Sequence, residues 1–219
     1  MDYSVIEWVD LVHGVGAELS MLLDTKLKEL REEVALMARR AESMLEKATD
    51  LLHTPTDEGV KEVLAMDATL NDLEIKMDDL CMRILALDEP YANDFRFVFS
   101  LIKTTRDLER IGDESKTVAK WSQRITGEVP PRLLELGKKA KETLNAAIHC
   151  LVNSDVSLTG TVMDLELTTD ELEDEIINAN PSIPIAFIAK ALERVGDLSA
   201  NIAENVIFSV KAEEIRHKT

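Results

Sequence analysis

Apolar residues recur at alternating intervals of four and three positions along much of this 219-residue chain. This spacing places their side chains on one face of an α-helix. One series comprises Leu23, Leu27, Leu30, Val34, Met37, Ala41, Met44, Ala48 and Leu51, and the next comprises Val63, Met66, Leu70, Leu73, Met77, Leu80 and Ile84. Each series therefore predicts a long helix that packs against its neighbours as in a coiled coil.

Turn signals divide the chain into two groups of three predicted helices. Thr54 and Pro55 are predicted as the N-cap and first-turn proline of the second helix. The third helix runs from Phe95 to about Arg124, and the strongest interruption follows at residues 126–131, which include Gly127, Pro130 and Pro131. Three further helices are predicted at residues 132–153, 155–178 and 183–211.

The third and sixth predicted helices share a repeated stretch. Residues 108–119 read LERIGDESKTVA, and residues 192–203, which lie 84 positions later, read LERVGDLSANIA. Because each copy lies in the last helix of its group, we interpret the chain as a duplicated three-helix bundle. The prediction is an all-α fold of two pseudo-symmetric three-helix bundles. Its parts are an N-terminal extension (residues 1–22), a first bundle (23–126), a second bundle (130–212) and a C-terminal tail (213–219).

Composition narrows the classes of function. The 42 acidic and 25 basic side chains give a formal charge of −17, which argues against a protein that binds nucleic acid. The N-terminus lacks the basic and apolar regions of a signal peptide, and no apolar run approaches the roughly 18 residues of a membrane span. Cys81 and Cys150 lack metal-ligand spacing, so buried thiols are expected. A cytosolic protein is predicted.

Each repeated stretch carries two acidic residues one helical turn apart, Glu109 and Asp113 in the first copy and Glu193 and Asp197 in the second. The preceding helix of each group carries a polar row beside its apolar face. These rows are Asp67, Asn71, Glu74 and Asp78 in the first half, and Glu166, Asp170 and Glu173 in the second. If the two helices of each half are antiparallel neighbours, these side chains face one another.

Converging carboxylates repel one another unless they protonate or a cation neutralises them. Oxygen ligands without histidine or cysteine suit Mg, Ca, Mn or ferric iron and match a structural zinc site poorly. Gly112 and Gly196 each cost about 1 kcal/mol relative to alanine within a helix, and they leave room for a cation, a water or a neighbouring backbone. Two alternatives stay open. Arg110, Arg194 and lysines can pair with the acids on a solvated surface, and the glycines can serve close helix packing.

Several motifs resemble those of the PhoU family, the accessory and regulatory proteins of bacterial phosphate-specific transport. Residues 101–113, LIKTTRDLERIGD, are similar to its first motif, and residues 191–208, ALERVGDLSANIAENVIF, are similar to its second. Residues 84–96, ILALDEPYANDFR, and residues 213–217, EEIRH, also agree. Because the motifs occur in order over residues 23–217, the chain is identified as a member of this family.

The resemblance implies two three-helix bundles, a homodimer, and multinuclear metal clusters held by paired acidic residues. The metal stays open among Fe, Mn, Mg, Zn and Ca. Carried over by position, the implied ligands are Asp67, Asn71, Glu109 and Asp113 in the first half, and Glu166, Asp170, Glu193 and Asp197 in the second. Asn71 departs from the acidic pattern, because an amide oxygen ligates without charge. The first cluster is therefore expected to be weaker or to recruit Glu74.

The resemblance also implies a role, which is negative control of the phosphate-starvation response. In this implied role the protein contacts the ATP-binding subunit of the phosphate ABC transporter and a phosphate sensor histidine kinase. Such an adaptor is not an enzyme, and it works in the bacterial cytoplasm, peripherally at the inner face of the membrane through its partners. The alternative is a carboxylate-bridged metal enzyme, a hydrolase or an oxidase, although the pair of Glu-x-x-His motifs found in ferritin-like sites is missing. A third alternative, a structural coiled-coil module, predicts no metal.

Overall fold

The computed structural model describes the backbone of residues 5–211 and the side chains of residues 21–211. Within these limits it contains six α-helices and no strand, which confirms the predicted all-α fold. The helices are α1 (Val5–Asp50), α2 (Asp57–Leu87), α3 (Ala92–Ser122), α4 (Pro131–Asn153), α5 (Thr159–Asn178) and α6 (Ile183–Lys211). Across this part of the chain, none of the helices has the length and apolar character needed to cross a bilayer. The predicted tail, with its motif at residues 213–217, lies outside the described residues.

The helix ends follow local signals and differ from the prediction at several points, among them the start of α3, which lies three residues before the predicted Phe95. α2 begins two residues later than predicted, because Thr56 is its N-cap and accepts a hydrogen bond of 3.1 Å from the Gly59 amide. α1 begins at Val5, so the backbone of residues 5–22 continues the helix that the apolar spacing predicts only from Leu23. A short 3-10 helix, Val156–Leu158, precedes α5.

The predicted apolar series form the core. In α1 the predicted positions from Leu27 onward are at most 5% exposed, and in α2 Val63, Leu70, Met77 and Ile84 are at most 2% exposed. Buried side chains of all six helices join in one apolar cluster, so the two halves share a core. The two cysteines are buried free thiols, as predicted, and burial raises the pKa of Cys81 to about 12 and that of Cys150 to about 11.

The helices pack in two groups, α1 with α2 and α3, and α4 with α5 and α6. The most extensive interface between described helices joins the two halves, and it lies between α3 and α6. These helices are antiparallel. Phe99 near the start of α3 contacts Phe208 near the end of α6, while Trp121 near the end of α3 stacks on Phe187, with ring centroids 4.5 Å apart. The division into separate bundles at residues 126–130 stays a prediction, since the core continues across it.

Candidate metal centres

The second and third helices of each half are antiparallel, which brings the two acidic rows together. Gln123, just after α3, donates a hydrogen bond of 2.6 Å to Asp57 at the start of α2. Lys190 near the start of α6 lies 3.9 Å from Glu173 in the second half of α5. We call Asp67, Asn71, Glu74, Glu109 and Asp113 the first acidic cluster, and Glu166, Asp170, Glu173, Glu193 and Asp197 the second acidic cluster.

The second acidic cluster has three carboxylates that converge. One oxygen atom from each of Glu166, Asp170 and Asp197 lies within 4.8 Å of the other two. Glu166 and Glu173 are buried, at 7% and 8% exposure. Asp170 Oδ1 and Glu193 Oε2 are shielded from solvent and receive no hydrogen bond from the described residues. Because a buried acceptor without a donor costs about 1–3 kcal/mol, these oxygen atoms fit a hard cation, which prefers oxygen ligands.

The electrostatics of the second acidic cluster favour an additional positive charge. Burial, together with the negative charges of Glu166, Asp197 and Glu193, raises the pKa of Asp170 to about 6. Lys190 opposes this shift, and its Nζ lies 2.6 Å from Glu193 Oε1. Lys190 lowers the pKa of Asp170, but its side chain is partly exposed. Lys190 also lies 3.9 Å from Glu173 Oε1, so it is placed beside the glutamates of the second acidic cluster.

The first acidic cluster contains a cation of its own. Lys116, one turn beyond Asp113 on α3, places its Nζ 2.5 Å from Asp113 Oδ1 and 2.7 Å from Asp67 Oδ2. Burial, followed by the charge of Asp113 and other acids, raises the pKa of Glu109, while Lys116 lowers it. Asp67 Oδ1 and Asn71 Oδ1 are shielded from solvent and have no hydrogen-bond partner among the described side chains. An ammonium group thus bridges α2 and α3.

Gly112 on α3 packs against Leu70 of α2, and Gly196 on α6 packs against Thr169 of α5. A methyl group at Gly112 would lie 2.5 Å from Leu70 Cδ2, and one at Gly196 would overlap the Thr169 side chain. Both contacts would be closer than those that real Cβ atoms make, so an alanine at either position requires the neighbouring side chain to move. The structure therefore supports the packing explanation for both glycines, and it places them beside the acidic rows of α2 and α5.

The arginines of the repeat turn away from both clusters. Arg194 Nη1 lies 3.3 Å from Glu114 Oε1 across the interface between α3 and α6, and Arg110 Nη1 lies 4.0 Å from Asp107 Oδ1. The solvated-surface alternative is therefore wrong for the arginines. It is correct in part for the lysines, because Lys116 contacts Asp67 and Asp113, and Lys190 contacts Glu193.

The structure brings three of the implied ligands into one group and adds residues that the sequence reasoning missed. Glu166, Asp170 and Asp197 converge, whereas no three carboxylates of the first acidic cluster do so within the described part of the chain. Metal ligation itself stays a prediction at every one of these positions. The missed residues are the two lysines, Lys116 and Lys190. Each lies three residues from a predicted ligand on the same helix, and this spacing was the available signal.

Both halves of the chain match the PhoU domain, at residues 34–122 and 133–206. The chain belongs to the PhoU family. The matched segments contain every residue of the first and second acidic clusters, and they confirm the family that the motifs indicated.

The relatives of this PhoU-family chain are similar to it over most of its length. The phosphate-specific transport system accessory protein PhoU homolog of Pseudomonas aeruginosa is 29% identical over 91% of this chain and 89% of its own length. The homolog of Aquifex aeolicus is 29% identical over 90% of this chain and 97% of its own length. The crystal structure of PhoU from Pseudomonas aeruginosa matches with a TM-score of 0.80 at 28% identity, over 87% of this chain and 99% of that chain.

A second solved structure gives the same picture. The phosphate transport system regulatory protein PhoU from Streptococcus pneumoniae matches with a TM-score of 0.80 at 25% identity, over 89% of this chain and 99% of that chain. The names of these relatives are those of accessory and regulatory proteins. They confirm the prediction that this PhoU-family protein is not an enzyme.

Proposed function

We propose that this protein is an accessory protein of a phosphate-specific transport system that restrains the phosphate-starvation response. The observation that carries the proposal is the match of both halves to the PhoU domain, with similarity to transport accessory proteins over about nine-tenths of the chain. In this role the protein is a homodimeric adaptor in the bacterial cytoplasm. It connects the ATP-binding subunit of the phosphate ABC transporter with a sensor histidine kinase at the inner face of the membrane.

Deletion of the gene tests the regulatory role. We expect phosphate-scavenging enzymes to be expressed during growth on ample phosphate, because the restraint on their expression is lost. Complementation with the intact chain should restore repression. Full repression in the deletion strain would contradict the proposed role. Partner identity is tested separately, by co-purification of the transporter ATPase and the kinase with the tagged protein, followed by mass spectrometry.

The second part of the proposal concerns metal. We propose that Glu166, Asp170 and Asp197 hold a hard cation that connects α5 and α6. The convergence of their oxygen atoms within 4.8 Å and the unpaired Asp170 Oδ1 support this assignment. When bound, the cation supplies positive charge that offsets the mutual repulsion of the carboxylates. The helix pair is then fixed in the form that meets the partner proteins.

A double variant tests the ligands. Asp170→Ala with Asp197→Ala removes two of the three converging carboxylates, so we expect loss of stoichiometric Mn²⁺ after dialysis, measured by elemental analysis. The matched control is Glu171→Ala with Asp174→Ala, which removes the same charge from exposed positions of α5. The control should retain its metal. Circular dichroism checks that both variants remain helical, and unaltered metal content in the first variant would reject the proposed ligands.

A further inference from the structure

In the first acidic cluster, Lys116 contacts one carboxylate from each helix, and the second half has an alanine at the corresponding position. We propose that the Lys116 ammonium group takes the place of the metal ion in the first acidic cluster, so that the chain binds metal through the second acidic cluster alone. The proposal rests on the metal site proposed above for the second half. It departs from the expectation that both halves hold metal.

Lys116 makes the contacts that a bridging cation would make. Its Nζ lies 2.7 Å from Asp67 Oδ2 on α2 and 2.5 Å from Asp113 Oδ1 on α3, so it joins one carboxylate from each helix. The Lys116 side chain is 21% exposed and that of Asp67 is 14% exposed, so solvent and salt screen this pair less than a surface pair. The two carboxylates favour the charged form of the ammonium group that lies between them.

The duplicated sequence supplies an internal reference for this lysine. The residue 84 positions after Lys116 is Ala200, which is fully buried and uncharged. The other cation near each cluster is present in both halves. Arg106 lowers the pKa of Glu74 in the first half, and the residue 84 positions later is Lys190. Lys116 is thus the positive charge that the first acidic cluster has and the second lacks.

The donor atoms of the first acidic cluster also fit a metal ion less well. In the order of the two polar rows, Asn71 corresponds to Asp170, so the first cluster has four carboxylates where the second has five. An amide oxygen at this position contributes no charge to a hard cation. An incoming ion must also displace Lys116 from Asp67 and Asp113, because like charges cannot share these oxygen atoms at low cost. Both differences weaken metal binding in the same half.

Titration with Mn²⁺ tests the proposal, with the free ion counted by electron paramagnetic resonance. The wild-type protein should bind Mn²⁺ that the double change Asp170→Ala and Asp197→Ala removes. Lys116→Ala should bind additional Mn²⁺, and adding Glu109→Ala and Asp113→Ala to this variant should remove the additional ions. Lys116→Arg is the matched control, because it keeps the positive charge and should bind no more Mn²⁺ than the wild type.

Two results would overturn the proposal. One is Lys116→Ala binding no more Mn²⁺ than the wild type. The other is a variant with Glu109→Ala and Asp113→Ala, and Lys116 unchanged, that binds less Mn²⁺ than the wild type. That result would mean that both halves bind metal, and it would not contradict the metal site proposed for the second half. A wild-type protein that binds no Mn²⁺ contradicts the metal site of the proposed function instead. The Lys116→Ala titration then decides the role of Lys116 by itself, since a gain supports it and no gain refutes it.

Thermal unfolding provides a readout that does not depend on counting ions. Without metal, Lys116→Ala leaves Asp67 and Asp113 without their counter-charge, so its midpoint should fall below that of the wild type. Mn²⁺ should then raise the midpoint of this variant more than that of the wild type, because an ion bound only by the folded state stabilises it. Lys116→Gln, which keeps most of the side-chain length, is measured in parallel. Equal Mn²⁺-induced shifts in all three proteins would refute the proposal.

Discussion

The α2–α3 and α5–α6 helix pairs present acidic rows of the same design, yet they balance their negative charge differently. In the first pair, Lys116 lies between Asp67 and Asp113. In the second pair, Ala200 stands at the corresponding position and Asp170 carries a carboxylate whose pKa is raised to about 6, mainly by burial. A duplicated helix pair can thus keep its acidic rows while only one copy has a lysine between them at this position.

The two pairs also differ in how closely they are packed. Gly112 faces the flexible end of Leu70, whereas Gly196 faces Thr169, a branched side chain that is fully buried and hydrogen-bonded to the Glu166 carbonyl oxygen over 2.7 Å. Thr169 is thereby held beside a member of the second acidic cluster. In the pair that gathers three carboxylates, the side chain that faces the glycine is therefore also the one less able to move aside.

The largest expected effect concerns Asp170 and its counterpart Asn71. Asp170→Asn gives the second acidic cluster the amide of the first, so we expect Mn²⁺ affinity to fall at least about a hundredfold, since changes outside the ligand shell already cost 10–100-fold. Isothermal titration calorimetry measures the change. Asn71→Asp is the reciprocal variant and should add no site while Lys116 is present. New Mn²⁺ binding by Asn71→Asp alone would remove the distinction between the halves.

Exchanging each glycine for alanine tests the packing difference. Gly196→Ala places a methyl group against Thr169, which is held by its hydrogen bond, so α5 and α6 must separate. We expect a loss of about 1–2 kcal/mol in the free energy of unfolding, because overpacking costs about 1–3 kcal/mol and alanine returns about 1 kcal/mol through helix propensity. Gly112→Ala should cost less, since the end of Leu70 can rotate. Urea unfolding without metal compares the two, and an equal loss in both would contradict the packing difference.

The fold was predictable from the sequence because apolar spacing and turn residues act locally. α6 has its predicted ends, and the series from Leu27 to Leu51 is buried as its spacing requires. The start of α2 was misplaced because Thr54 and Thr56 both precede acidic or proline residues that suit a first turn, and only the Gly59 contact distinguishes them. Local chemistry therefore fixes the elements to within a few residues.

The charge balance of the clusters was not predictable in the same way. Lys116, three residues after Asp113, has the spacing of an ordinary pair on a helix surface. Its role depends on Asp67, which belongs to another helix and lies 49 positions earlier. The two explanations for the glycines stayed open for a similar reason. Whether Gly112 faces a cation or Leu70 depends on how α3 is rotated about its axis, which the spacing of acidic residues does not determine.

The pH dependence of stability separates Asp170 from Asp107, whose pKa is also raised to about 6 by burial. Unfolded aspartate titrates near about 3.9, so the folded protein binds extra protons between these values. The contribution of these two groups to the free energy of unfolding should therefore be largest below about pH 4 and decline as pH rises through about 6. Each group contributes on the order of 1–2 kcal/mol after solvent screening, and Asp170 contributes less because it is more accessible.

Mn²⁺ distinguishes the two contributions to this pH dependence. A bound ion favours the carboxylate form of Asp170, so saturating Mn²⁺ should remove the decline that Asp170 causes and leave that of Asp107. Asp107→Asn should remove the decline that Asp107 causes and leave that of Asp170. Urea unfolding at pH 5 and pH 7.5, with and without Mn²⁺, measures both effects. If Mn²⁺ left the pH dependence of Asp107→Asn unchanged, Asp170 would not be part of the metal site.

The smallest expected effect concerns the arginines of the repeat, and it tests whether they belong to the charge balance at all. Arg194 pairs with Glu114 over 3.3 Å between α3 and α6, whereas Arg110 lies 4.0 Å from Asp107 on its own helix. Exposed pairs contribute at most about 1 kcal/mol, so Arg194→Ala should cost a few tenths to 1 kcal/mol in unfolding free energy and Arg110→Ala less. Neither change should alter Mn²⁺ affinity, because the carboxylate nearest to each arginine lies outside both acidic clusters. Tighter Mn²⁺ binding by Arg194→Ala would mean that this arginine offsets the charge of the second acidic cluster after all, and the contrast between the halves would then rest on more than Lys116.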